Sequence, residues 1–222
     1  MFEPYFLLVV LHVVLFAYWL GADFGVFTCS RYIVRPDLPL AERERFLEAL
    51  LAIDILPRTA IVLLPFVGLQ LASMRGSIDV SSATLVVAWS VGFAWLAVVW
   101  LAYLKTRQPT GPFWQRIDVS WRVAFIIILV ALGVISLLRG APFTAKWIAT
   151  KLLVYAALLV VGLYLRVSIR GWRLGFIRLR KGESGPDIDA LFSDGRRRAK
   201  YAAFVFWALI VTMAWLGIAQ PF

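Results

Sequence analysis

His12 is the only histidine in the chain, and it lies inside an apolar stretch, Tyr5 to Trp19. An ionisable side chain within a membrane span is costly; it faces the bundle interior or a cavity and marks a functional site by default. Lys151 is embedded in the same way, between Phe143 and Leu165. Counted inward from one face of the membrane, His12 is about seven residues or roughly 10 Å deep, and Lys151 about eight residues or roughly 12 Å. The two are level, so the expectation is that they meet across a cavity in the outer half of the bundle. There an amine beside an imidazole forms a proton-transfer couple, which makes both candidate catalytic residues. The imidazole could instead ligate a haem iron through one nitrogen. The alternative is structural: His12 hydrogen-bonded between helices and Lys151 snorkelling outward.

A second constellation lies deeper along the same helix. His12, Phe16, Trp19 and Asp23 follow a 4, 3, 4 spacing and form one stripe. Gly21 and Gly25 would allow a neighbouring helix or ligand to approach beside it. Asp54 with Arg58, and Asp118 with Arg122, are i, i+4 pairs near the plane of Asp23. They could hold one another as ion pairs. They could also hold propionates or a similar anionic group, since arginine suits carboxylates, with His12, Trp19, Arg58 and Arg122 as the candidate cofactor-binding residues.

Metal chemistry has thin support. Met1, Met74 and Met213 are scattered and Cys29 is the lone cysteine, so His12 is the one strong metal ligand and bis-histidine haem ligation within one chain is excluded. The chain contains no Gly-rich phosphate loop, HExxH or GxSxG, which removes nucleotide and hydrolase mechanisms.

The elements that position these residues follow from composition. The chain is 62% hydrophobic and 16% charged, with a mean hydropathy of +0.83. A span needs about 20 apolar residues. Six such stretches are read: Tyr5–Phe27, Leu51–Met74, Ser82–Leu104, Trp121–Leu138, Phe143–Leu165 and Tyr201–Gly217. The expected fold is all-α, a single polytopic transmembrane bundle over residues 1–222. The first span carries Glu3 and no preceding Lys or Arg, so it is expected to be retained rather than cleaved as a signal peptide. Pro57 and Pro65 predict kinks or a change of helix in the second span.

Lys and Arg follow spans one, three and five, including Arg31, Arg43, Lys105, Arg107, Arg170 and Arg196, whereas the opposite segments hold only Arg75, Arg139 and Lys146. The positive-inside rule then places both termini outside the cytoplasm of an inner (plasma) membrane. Residues 36–50 read as a short amphipathic cytoplasmic helix running into the second span. Residues 166–200 read as a basic cytoplasmic loop that begins as a continuation of the fifth helix, with Trp172, Phe176 and Ile177 on a helix at headgroup level, and breaks at the turn-rich GESGPDID. The net charge of +10 is thereby assigned to topology and anionic lipids, not nucleic acid.

Two segments carry a family resemblance. LHVVLFAYWLGADFGVFTCSRYIV resembles the first helix of CopD/HemJ-like membrane proteins, with His12 and Trp19-Leu20-Gly21 at the matching positions. WIATKLLVYAALLVVGLYLR resembles the lysine-containing helix of that group, with Lys151 as the lysine and Arg166 closing it, and LPRTAIVLLPFVGLQLA is similar to its second helix. Together they cover roughly a third of the chain. The resemblance implies a haem b or porphyrin ligand, protoporphyrinogen oxidation or electron transfer, and functional roles for His12 and Lys151. In this reading Arg58 and Arg122 meet anionic groups, although they lie toward the opposite membrane face from His12. The competing reading is a non-enzymatic anchor or accessory subunit, in a homo-oligomer or larger membrane complex. A small transporter ranks last, because no inverted repeat is evident.

Overall fold

Pro4, Pro112 and Pro186 each stand in the first turn of a helix, where the absent N–H is no loss. The computed structural model describes residues 3–106 and 108–221. Met1 and Arg107, which entered the sequence reading, lie outside the described residues. Among the described residues there are seven helices: α1 Pro4–Ile33, α2 Leu40–Met74, α3 Ser82–Leu104, α4 Gly111–Arg139, α5 Lys146–Ser168, α6 Arg170–Arg180 and α7 Pro186–Ala219. The Ser81 hydroxyl accepts from the Thr84 amide at 3.2 Å to start α3. Gly140, at φ 66°, ends α4 in the left-handed conformation that glycine adopts without strain. All of them except α6 are built around apolar segments long enough to cross a membrane, six spans in all. The fold is the all-α polytopic bundle expected.

The spans pack in a ring, α1 on α2, then α3, α4, α5 and α7, which returns to α1. The α1–α7 seam is the loosest in the ring. α2 leans furthest inward, with half of its most apolar window buried against about a tenth of that of α1. Ile61, Val62, Val67, Trp95, Leu158, Leu159 and Ile210 make the centre of the core.

Three local features bear on these expectations. The amphipathic helix read over residues 36–50 begins at Leu40 and runs without interruption into the second span as one helix, α2. α2 also passes through Pro57 and Pro65 without restarting. Pro65 has no N–H to give the Ile61 carbonyl one turn back, and the Tyr155 hydroxyl of α5 donates to that carbonyl instead. A neighbouring helix thus repairs the bond that the proline removes, as membrane helices require.

Residues 166–200 are helical on either side of a turn at residues 181–185, where the GESGPDID break falls. α6 lays Trp172 and Phe176 on protein, not on lipid, against Phe192 of α7. The Phe176 and Phe192 rings meet edge to face at 5.1 Å, and the Trp172 indole donates to the Phe192 carbonyl at 3.0 Å. Ile33, Leu50 and Ile188 complete this second core, and Arg180 pairs with Glu44 of α2 at 2.7 Å. Arg43, 3% exposed, donates to the Ile33 carbonyl at 2.7 Å and so closes the last turn of α1. The basic end of the bundle is a folded cap.

Candidate functional site

Asp118 is the fixed point of the polar interior. It is 2% exposed and accepts from donors on three helices: Trp95 Nε1 of α3 at 3.3 Å, Arg122 Nε of its own helix at 3.2 Å and Arg166 Nη2 of α5 at 2.8 Å. Both arginines are aimed by this carboxylate into a cavity of about 170 Å³ toward the basic end of the bundle. Arg58 reaches the same cavity from α2, held by Asp54 one turn earlier, with Nε to Oδ2 at 2.6 Å. Arg196 and Lys200 enter from α7, and Asp23 from α1, where its Oδ2 accepts from Trp207 Nε1 at 2.6 Å. Trp19, Ile61 and Phe206 supply apolar wall.

The charge in this space does not balance. Five cationic side chains line it against the carboxylates of Asp23 and Asp54, with Asp118 behind them. Arg122 is 5% exposed, yet its Nη2 is buried without a partner, as is Nε of Arg196. Buried arginine nitrogens are costly when unmet. A carboxylate or phosphate in the cavity would offer Arg122 a charge-matched partner.

The stripe on α1 turns inward as its spacing predicts. Trp19 is buried edge-on to the rings of Tyr155 and Phe206, at 6.3 and 5.9 Å. Gly25 lets Ile53 of α2 approach, since an added Cβ would lie 3.3 Å from its side chain. Gly21 does not serve this purpose, because nothing stands within 4 Å of the position.

His12 packs against α2, its Cε1 3.5 Å from where a side chain on Gly68 would begin. Its Nδ1 is buried without a hydrogen-bond partner. His12 feels the charge of Lys151 through space, and the Lys151 ammonium lies 2.9 Å from a would-be Cβ on Gly217 of α7 and 5.8 Å from the centre of the Trp147 ring. Among the described residues no three His, Cys, Asp or Glu side chains converge on a metal position. His12 stands eleven residues, about 16 Å of helix, from Asp23 and the arginine cavity.

The i, i+4 pairs were legible in sequence; their cross-helix partners were not. Arg166 reads only as a basic residue closing a span, and Trp95 and Trp207 read as ordinary aromatic content. Arg196 and Lys200 left a usable sign, an i, i+4 spacing that puts both on one face of α7. No family model, curated protein or solved structure matches the chain.

Proposed function

We propose that the protein is a multi-pass membrane protein that binds an amphipathic organic anion inside the bundle. The carboxylate or phosphate lies against Arg58, Arg122 and Arg166, and the apolar part against Trp19, Ile61 and Phe206. The observation that carries this reading is the unpartnered Nη2 of a deeply buried Arg122 in the wall of a cavity with excess cationic charge. Native mass spectrometry of protein extracted from its own membranes tests it. The wild type should retain an anionic ligand that Arg58→Gln and Arg122→Gln lose. Wild-type and variant proteins that both carry nothing would count against it.

A second reading follows from the unpartnered Nδ1 of His12. A b-type haem or porphyrin, the ligand class implied by the CopD/HemJ resemblance, would be held by His12, with Lys151 as the cation nearest its acidic groups. When bound, haem supplies one-electron chemistry. The distance from His12 to the cavity argues against a tetrapyrrole that uses His12 together with Arg58 and Arg122. The two sites are therefore separate proposals. The pigment reading predicts a Soret band in protein from haem-replete cells that His12→Ala removes and Lys151→Ala largely keeps. A colourless wild type with its fold intact leaves the anion site alone. Protein that carries neither pigment nor anion fits an accessory subunit.

A further inference from the structure

Beside the inner cavity an open groove of about 700 Å³ runs along the α1–α7 seam. Its charged residues are Arg31, Arg196 and Lys200, and no carboxylate is among its lining. Arg31 and Arg196 both lie over the Phe27 ring, each 5.5 Å from its centre. Two guanidinium groups sharing one ring repel one another, and nothing anionic in the groove offsets this. The Nε of Arg196 is buried and unpartnered there. The rest of the groove is aromatic: the Phe24 and Trp207 rings meet tilted by 40° with centres 4.2 Å apart, and Phe24 and Phe204 are each nearly half exposed. Cationic head and aromatic body point to a single kind of occupant.

We propose that the α1–α7 groove is a binding site for an anionic glycerophospholipid of the surrounding bilayer. Its phosphate sits between Arg31, Arg196 and Lys200, and one acyl chain lies along Phe24, Phe204 and Trp207. Charge complementarity selects the headgroup, because a phosphate satisfies the unmet Arg196 nitrogen and separates two like charges. The side of the groove selects a lipid over a soluble anion, since the aromatic walls open sideways between two spans. The Lys/Arg asymmetry places this end at the cytoplasmic leaflet, where anionic lipids concentrate. The groove and the inner cavity share Phe27, Arg196 and Lys200, so the lipid also lies at the edge of the cavity. The site is argued independently of what fills that cavity.

The test uses the full chain in nanodiscs of phosphatidylcholine. A trace of phosphatidylglycerol or of phosphatidylcholine, each with a photo-reactive acyl chain, is added, and cross-linked peptides are mapped by mass spectrometry. Phosphatidylglycerol should label the peptides spanning residues 24–31 and 196–207 several-fold more than phosphatidylcholine does. Arg31→Gln combined with Arg196→Gln should bring labelling down to the phosphatidylcholine level. If the double variant does not fold, Lys200→Gln, at an exposed position, should still lower it clearly. Equal labelling by the two lipids, or labelling unchanged in the folded variants, would overturn the proposal. Loss of labelling on adding inorganic phosphate at constant ionic strength would also overturn it, in favour of a soluble-anion site.

Discussion

Asp118 ties α3, α4 and α5 together with one carboxylate, and removing its charge isolates two arginines at once. Asp118→Asn keeps the shape and takes away the compensation for Arg122 and Arg166. Breaking a buried pair by removing one partner costs about 3–5 kcal/mol. We expect a destabilisation of that order in thermal or denaturant unfolding of the detergent-solubilised protein. Arg45→Gln, which breaks an exposed pair with Glu42, should cost no more than about 1 kcal/mol. Equal losses would mean that Asp118 is not the hub of the interior. At this scale the sequence exposed half of the site. Acid and arginine one turn apart must share a helix face, so Asp54–Arg58 and Asp118–Arg122 could be found by counting. Arg166 could not, because its meeting with Asp118 depends on how α4 and α5 are rotated and spaced.

Among the elements, α2 departs furthest from what its residues suggest alone. Prolines within an apolar run signal a break, yet α2 continues because the Tyr155 hydroxyl takes over the carbonyl that Pro65 leaves without its usual donor. Tyr155→Phe should leave the Ile61 carbonyl unmet in the core and cost about 1–3 kcal/mol. In a Pro65→Ala background the amide at position 65 can donate to that carbonyl, so the same substitution should cost much less. A double-mutant cycle by equilibrium unfolding measures the difference, and an additive result would remove this account of the helix. α6 teaches the complementary point. Arginines alternating with Trp172 and Phe176 suit a helix on a membrane surface, but the same apolar face suits Phe192, and only the return of α7 decides between them. Close packing elsewhere is as strict. An added Cβ on Gly133 of α4 would lie 2.8 Å from Leu153 and 3.1 Å from the Ala149 carbonyl of α5. Gly133→Ala should therefore cost about 1–3 kcal/mol by overpacking, whereas Gly21→Ala is free of such a clash.

Across the whole molecule, the number of spans was legible because hydrophobic length is a local property of the chain. The ring order and the inward lean of α2 were not, since they depend on contacts between distant segments. The Lys/Arg asymmetry predicts an orientation that is open to test. In a Cys29→Ser background, cysteines placed at Gly76 and Gly185 should label from the outside and the cytoplasmic side respectively, and the reverse pattern would invert the topology. The central claim is that the bundle holds an anion at the arginine cavity. A ligand that binds only the folded state stabilises it by about 2.7 kcal/mol at a hundredfold excess over Kd. The most direct measurement is the stability of purified protein titrated with hexyl phosphate, with hexanol as the neutral control and Arg122→Gln as the variant. The account predicts a saturable stabilisation of the wild type by hexyl phosphate alone, largely lost in Arg122→Gln. Stabilisation of equal size by hexanol, or undiminished in the variant, would contradict it.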